Sequence, residues 1–317
     1  MAVYPRLILL GLLLIVAAAG LLWFGAELFV EHAAAGGRRL GISGLAVGLL
    51  LAGAEPEELL TAVTASIRDR GGIAAGDAIG ANVTMLTLVL GLAALMAPVP
   101  VGGKVRQYLL GAAALGGVAA LMLSGGVSRT EGLVLLLIYA AAVTTIWVLE
   151  RRPPAIGELA ELEEQGTSSR DAAGWKGLAL VVAGIGIMAS GGWVAVLGAE
   201  RLVAALGVTD SVVGLSLVAL ATTAELFALA VSAHRHRVSE LAVAGVVGSA
   251  GYNATVTLGG AALARPIATG GVVGAGWLAA GLPLLILGLG ARERQVNPWG
   301  AAVLITVYII YVIALYT

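Results

Sequence analysis

The sequence predicts an all-α membrane protein: ten transmembrane helices arranged as two inverted five-helix repeats, with helices 2 and 7 interrupted. Three observations carry that expectation. Hydrophobic residues make up 59% of the chain and charged residues only 12%, about half the charged share of a soluble domain. Ten apolar segments reach the roughly 18–20 residues needed to cross a bilayer, five on each side of a polar stretch. The two halves also repeat one another in order.

The segments fall near 7–30, 42–68, 74–96, 108–125 and 131–149, then near 176–203, 211–234, 241–264, 271–288 and 300–317. They read as helices, because a membrane barrel shows alternation over short strands and this chain does not. The first run exceeds the roughly 7–15 residues of a signal-peptide core, so it reads as a retained helix. The 46 glycines suit helices packed in lipid, where no hydrophobic drive pushes them together and small residues let backbones approach. The chain divides into a first half (1–150), a linker (151–175) and a second half (176–317). The linker carries Pro153-Pro154 and then Glu158, Glu161, Glu163 and Glu164, a like-charged run that reads as solvated.

Loop charge sets the expected orientation. Six of the 18 Lys and Arg residues fall on the side of the N-terminus and twelve on the other. The positive-inside rule makes the richer side cytoplasmic, which places the linker in the cytoplasm and both termini outside. A net charge of −1 points to no nucleic-acid partner. The absence of cysteine removes disulfides and thiolate metal sites.

The most unusual stretch is Gly48–Met85, which places Glu55, Glu57 and Glu58 within four positions inside an apolar segment. A charge at the bilayer centre costs about 3 kcal/mol even on the forgiving insertion scale. Cations or protons are the natural compensators. The second half answers the first in order. Leu40-Gly41-Ile42-Ser43 is matched by Leu206-Gly207-Val208-Thr209, and Glu58-Leu59 by Glu225-Leu226. IRDR (67–70) is matched by HRHR (234–237), Gly80-Ala81 by Gly248-Ser249, and LGLAAL (90–95) by LGGAAL (258–263). An odd number of helices per half forces the second copy in from the opposite face. Such inverted repeats place an ion site near the midplane, where interrupted helices meet.

GAELFVEHAAAGGRRLGISGLAVGLLLAGAEPEEL followed by GDAIGANVTMLTLVLG resembles the first alpha-repeat of the cation/calcium exchanger superfamily. GLSLVALATTAEL followed by VAGVVGSAGYNATVTLGG resembles the second. That family carries Gly-Thr-Ser-x-Pro-Glu and then Gly-Ser-Asn-x-x-Asn in each half. The resemblance implies glutamates that bind calcium, and Thr, Ser and Asn oxygens that complete the calcium and sodium sites. It also implies two long helices, the first and sixth, sliding over the rest. In the second repeat Thr222 and Thr223 stand for Thr-Ser, Glu225 for the glutamate, Ser249 for the serine and Asn253 for the last asparagine. The first repeat departs further. Gly53 and Asn82 are kept, but Ala54 replaces Thr, Glu55 falls near the Ser, Ala81 replaces the serine and Met85 the last asparagine.

Calcium takes six to eight oxygens in forgiving geometry, and Glu58, Glu225, Asn253 and helix-break carbonyls can supply such a shell. Glu58 is favoured as the first-half ligand because it shares Glu-Leu with Glu225; Glu57, directly after Pro56, is the rival. Some of these acids also suit the positive end of the half-helix that starts there. Thr84 and Thr87 can replace lost sodium oxygens, although a membrane threonine often bonds its own backbone. The extra carboxylate at Glu55 raises proton coupling as an alternative to sodium. Asp77 reads as an interfacial cap at the outer end of the third span.

The expectation is a secondary antiporter of calcium against sodium or protons, working as a monomer in the lipid bilayer with inorganic cations as partners. It is expected to carry no permanent cofactor, and Ca2+ and Na+ or H+ are its transported species. Alternatives are a proton-coupled antiporter for another cation and, from a different class, a membrane hydrolase. An enzyme is not expected, since a metal-dependent hydrolase draws on His or paired Asp ligands and none of the three histidines falls at membrane depth.

Overall fold

The computed structural model describes residues 3–39, 55–150, 175–227 and 239–317. The first half contains α1 (Val3–Arg39), α2 (Pro56–Ile67), α3 (Gly71–Thr84), α4 (Leu90–Met96), α5 (Gly103–Met122) and α6 (Arg129–Glu150). A π-helical turn, Met85–Val89, joins α3 to α4 without a break. The second half contains α7 (Trp175–Leu206), α8 (Asp210–Val213), α9 (Ala219–Thr222), α10 (Ser239–Tyr252), α11 (Leu258–Ala264), α12 (Val273–Leu289) and α13 (Pro298–Tyr316). Two further π turns, Gly214–Val218 and Asn253–Thr257, join α8 to α9 and α10 to α11.

The repeat seen in the sequence is a repeat of backbone geometry. Every boundary of α10, its π turn and α11 lies 168 residues after the corresponding boundary of α3, its π turn and α4. The connections repeat as well. Val99 of β1 (Val99–Pro100) pairs with Val296 of β2 (Gln295–Val296), and Ile267 pairs with Val127. The loop leaving the third helix of each half thus meets the loop entering the last helix of the other half. This reciprocal exchange is what a two-fold relation between halves produces.

Among the described residues, six helices are long and apolar enough to cross a membrane: Pro5–Phe29, Gly71–Met96, Val105–Gly125, Arg129–Ile146, Lys176–Leu206 and Pro298–Tyr316. Shorter apolar helices cover Asp210–Thr222 and Val273–Leu289. The expected count of ten rests partly on 40–54 and 228–238, and the linker on 151–174; these lie outside the described residues, as do Gly53, Ala54 and HRHR (234–237). Leu9, Leu13, Val16, Phe24, Leu137 and Ile310 are exposed, which suits a surface that faces lipid.

Gly71–Met96 is the central helix: 72% of its apolar window is buried, against 22% for Pro5–Phe29. Its burial depends on glycine. A Cβ at Gly80 would stand 2.5 Å from the Leu215 carbonyl oxygen, and one at Gly76 2.8 Å from the Leu215 amide nitrogen. Backbone therefore packs on backbone where α3 meets the π turn Gly214–Val218, the close approach that small residues permit in membranes. The long helices α1 and α7 pair in the same way, with Gly25 against Met188 and the Gly184 carbonyl, and Gly198 against the Gly11 carbonyl.

The turn from α2 to α3 is pinned by charge. Arg68 and Arg70 reach Glu200 of α7 at 2.9 and 3.2 Å, Arg70 also meets Asp210 at 3.5 Å, and Arg265 meets Asp69 at 2.9 Å. The Arg68 guanidinium lies 4.3 Å from the Trp193 ring centroid.

Candidate cation site

Two helix ends build the site. Glu55, with φ −113° and ψ 76°, precedes α2, and Pro56 takes the first helical turn, where its missing N–H goes unnoticed and its fixed φ suits the helix. Glu57 and Glu58 fall in that first turn, near the positive end of the helix dipole. In the second half, α9 ends at Thr222, Thr223 (φ −83°, ψ 6°) leaves the helix, and helix resumes at 224. Glu225 is carried on the resumed turn. The interruption of helix 7 is thus visible, whereas whatever precedes Glu55 in helix 2 lies outside the described residues.

These ends bring acids from both halves together. One carboxylate oxygen each from Glu55, Glu57 and Glu225 lies within 4.8 Å of the other two. Ligands at 2.3–2.6 Å from a calcium ion stand at most about 5 Å apart across the shell, so the three oxygens fit one ion. Glu55 and Glu57 are buried and Glu225 half-buried. Glu55 Oε1 also accepts a hydrogen bond from the Ser249 hydroxyl of α10. Glu58 is fully buried beside them. Its charged neighbours are Glu55, Asp77 and Glu225, and the Asn253 amide faces it without meeting hydrogen-bond geometry. The convergent set includes Glu57; Glu58 stands at its edge.

The remaining expected residues divide by position. Thr223 Oγ1 donates to the Ala219 carbonyl at 2.8 Å, which leaves its lone pairs for a ligand. Asn253 Oδ1 accepts from Thr257 Oγ1 at 2.9 Å, while its Nδ2 is buried without a partner. Asn82 Nδ2 donates to the Ala250 carbonyl at 2.8 Å, its own counterpart in the other half, and its Oδ1 has no partner. Thr84 is buried at the end of α3, with no hydrogen bond to its Oγ1. Among the described contacts none joins Asn82 or Thr84 to a carboxylate. Thr87 bonds the Val83 carbonyl, the backbone habit expected of a membrane threonine.

Asp77 corrects an expectation. It is fully buried, and Thr222 Oγ1 donates to its Oδ1 at 3.0 Å. The helix begins at Gly71, three residues earlier than the apolar run, so Asp77 sits well inside the membrane-crossing segment and not at its mouth. An acid inside a membrane helix is a site candidate by default, and that signal was present in Gly76-Asp77. Tyr139 of α6, which no motif singles out, stacks edge-on against Tyr252 with centroids 5.6 Å apart, near Glu55.

With this geometry in place, resemblance to known proteins becomes informative. The chain is 28% identical over 277 residues to the inner membrane protein YrbG of Escherichia coli, covering 84% of this chain and 81% of that protein. It is 26% identical over 327 residues to the putative antiporter CaxA of Alkalimonas amylolytica, covering 98% of each. Among solved structures, the sodium-calcium exchanger NCX_Mj, soaked with Na+ and Sr2+, superposes with a TM-score of 0.62 over 99% of both chains at 24% identity. That likeness establishes the fold, a helical membrane architecture of two inverted repeats. The family model described as sodium/calcium exchanger protein matches residues 10–148 and 176–317, nearly the whole chain, and the protein therefore belongs to the sodium/calcium exchanger family.

Proposed function

We propose that the protein is a secondary active antiporter that exchanges calcium for sodium across the membrane by alternating access. The observation that carries this reading is the approach of Glu55, Glu57 and Glu225 oxygens to within 4.8 Å of one another in a largely buried site. Carboxylates so close and so buried need a compensating cation or proton, and a hard divalent ion suits three of them. Glu58, the Thr222 and Thr223 hydroxyls, Ser249 and Asn253 are candidates for further oxygens, and Asn82 and Thr84 carry buried oxygens with no hydrogen-bond partner. Sodium is the counter-ion that family membership favours.

The α1–α7 pair supports the conformational side of the reading. Its two helices are held to each other through glycine contacts, and α7 is tied to the α2–α3 turn by Glu200. Sliding of that pair relative to the central helices would open the site to alternate sides. The distribution of basic residues supports external termini and a cytoplasmic linker over 151–175.

The test is calcium uptake into proteoliposomes under imposed gradients. An outward-directed sodium gradient is expected to drive uptake, and Glu57→Gln and Glu225→Gln to abolish it. Uptake that ignores sodium and follows a pH gradient would overturn the assignment of the counter-ion. Uptake unchanged in both variants would remove the site.

A further inference from the structure

The site contains one acid with no role in the reading above. Asp77 lies 168 residues before Gly245, and Ala81 168 residues before Ser249. Asp77 and Ala81 are four apart on α3, hence on one face of the helix. In the second half, the oxygen on that face is the Ser249 hydroxyl, and it reaches across to Glu55 at the first half's break. Ala81 offers no oxygen. One turn earlier, Asp77 reaches across to Thr222 at the second half's break. The two cross-half contacts answer each other, but a neutral hydroxyl makes one and a carboxylate the other.

Three buried groups lack hydrogen bonds: the Asp77 Oδ2, the Glu58 carboxylate and the Asn253 Nδ2. Asp77 and Glu58 act on each other electrostatically, and Asn253 faces Glu58. With Oδ1 held by Thr222, Oδ2 remains for a ligand. An amide turned about its bond would present Oδ1 of Asn253 to the same region, since the two orientations differ only in hydrogen-bond assignment.

We propose that Asp77 is a cation ligand of this site and sets its preference for divalent over monovalent ions. The inference rests on the reading that the carboxylate cluster holds the transported cation. Replacing a neutral oxygen by a charged one raises affinity most for the ion of higher charge, since site charge is what tunes calcium affinity. The first half has thus exchanged a hydroxyl at position 81 for a carboxylate at position 77, and the exchange tilts the site toward calcium.

Equilibrium binding of 45Ca2+ and 22Na+ to the purified full-length protein in detergent tests this, with size-exclusion chromatography as the fold check. Asp77→Asn is expected to lower Ca2+ affinity at least tenfold and Na+ affinity less than threefold. The double variant Asp77→Gly/Ala81→Ser gives α3 the side chains α10 carries at the matching positions, and it is expected to lower the Ca2+/Na+ affinity ratio by the same factor or more. The double variant also keeps the test decisive if Asp77→Asn does not fold. A ratio that stays within threefold of wild type in whichever variant folds would overturn the proposal. Absence of Ca2+ binding in the wild type would instead overturn the reading on which it rests.

Discussion

The two halves share backbone geometry and divide the chemistry between them. Around the break, the first half contributes Glu55, Glu57, Glu58 and Asp77 and has Ala81 and Met85 where the second half has Ser249 and Asn253. Among the described residues the second half contributes one acid, Glu225, and the neutral groups of Thr222, Thr223, Ser249 and Asn253. Neither half alone makes a plausible ion shell: one is too charged to stay dry, the other too neutral to hold a divalent ion. Their union gives the mixture of carboxylate, hydroxyl and amide that a hard cation takes. A pseudo-symmetric fold is therefore compatible with strongly asymmetric chemistry, because what the site requires is a sum over both halves.

The division can be attacked at its sharpest point. Among the described residues Glu225 is the one second-half acid in the cluster, so Glu225→Gln removes the formal charge they contribute there from that half. Calcium affinity measured by titration calorimetry is expected to fall at least 100-fold, about 3 kcal/mol. Glu55→Ser, which gives the first half a hydroxyl in place of an acid, should cost clearly less. If it costs more, charge is not partitioned as described.

Shared geometry is tested at Gly80, whose close contact with Leu215 joins the halves. Gly80→Val should destabilise the fold by about 3 kcal/mol, the upper range for overpacking, seen as a lower midpoint of thermal unfolding in detergent. Ser249→Ala removes the neutral cross-half bond to Glu55. It is expected to weaken calcium binding by about fivefold, in line with a hydrogen bond worth about 1 kcal/mol. The smallest effect belongs to Glu200→Gln. It breaks partly exposed ion pairs with Arg68 and Arg70 and should change stability by less than about 1 kcal/mol. Calcium affinity should not move in that variant, although the transport rate is free to change if the pairs hold α7 in place.

Much of this was legible from residues alone. The repeat at Gly80-Ala81 and Gly248-Ser249, and again at LGLAAL and LGGAAL, emerges in the structure as matched helices and matched π turns. The motif-bearing acids Glu57 and Glu225 meet across the halves. Two things were not legible. The choice between Glu57 and Glu58 is one, because helical spacing says nothing about which way the first turn faces a partner nearly 170 residues away. Asp77 reads as a cap because the apolar run starts near 74, whereas the helix starts at Gly71; glycine and arginine at a helix start dilute hydropathy without ending the helix.

The sequence by itself determined that this chain lives in a bilayer, that it consists of two copies of one motif, and that buried acids lie at its centre. These are properties of composition and spacing, which lipid reads one segment at a time. Only the tertiary structure decided which acids converge, because that depends on where two oppositely inserted backbones touch. Here the touching surface is glycine on backbone, with Gly76 and Gly80 of α3 against Leu215 of the other half.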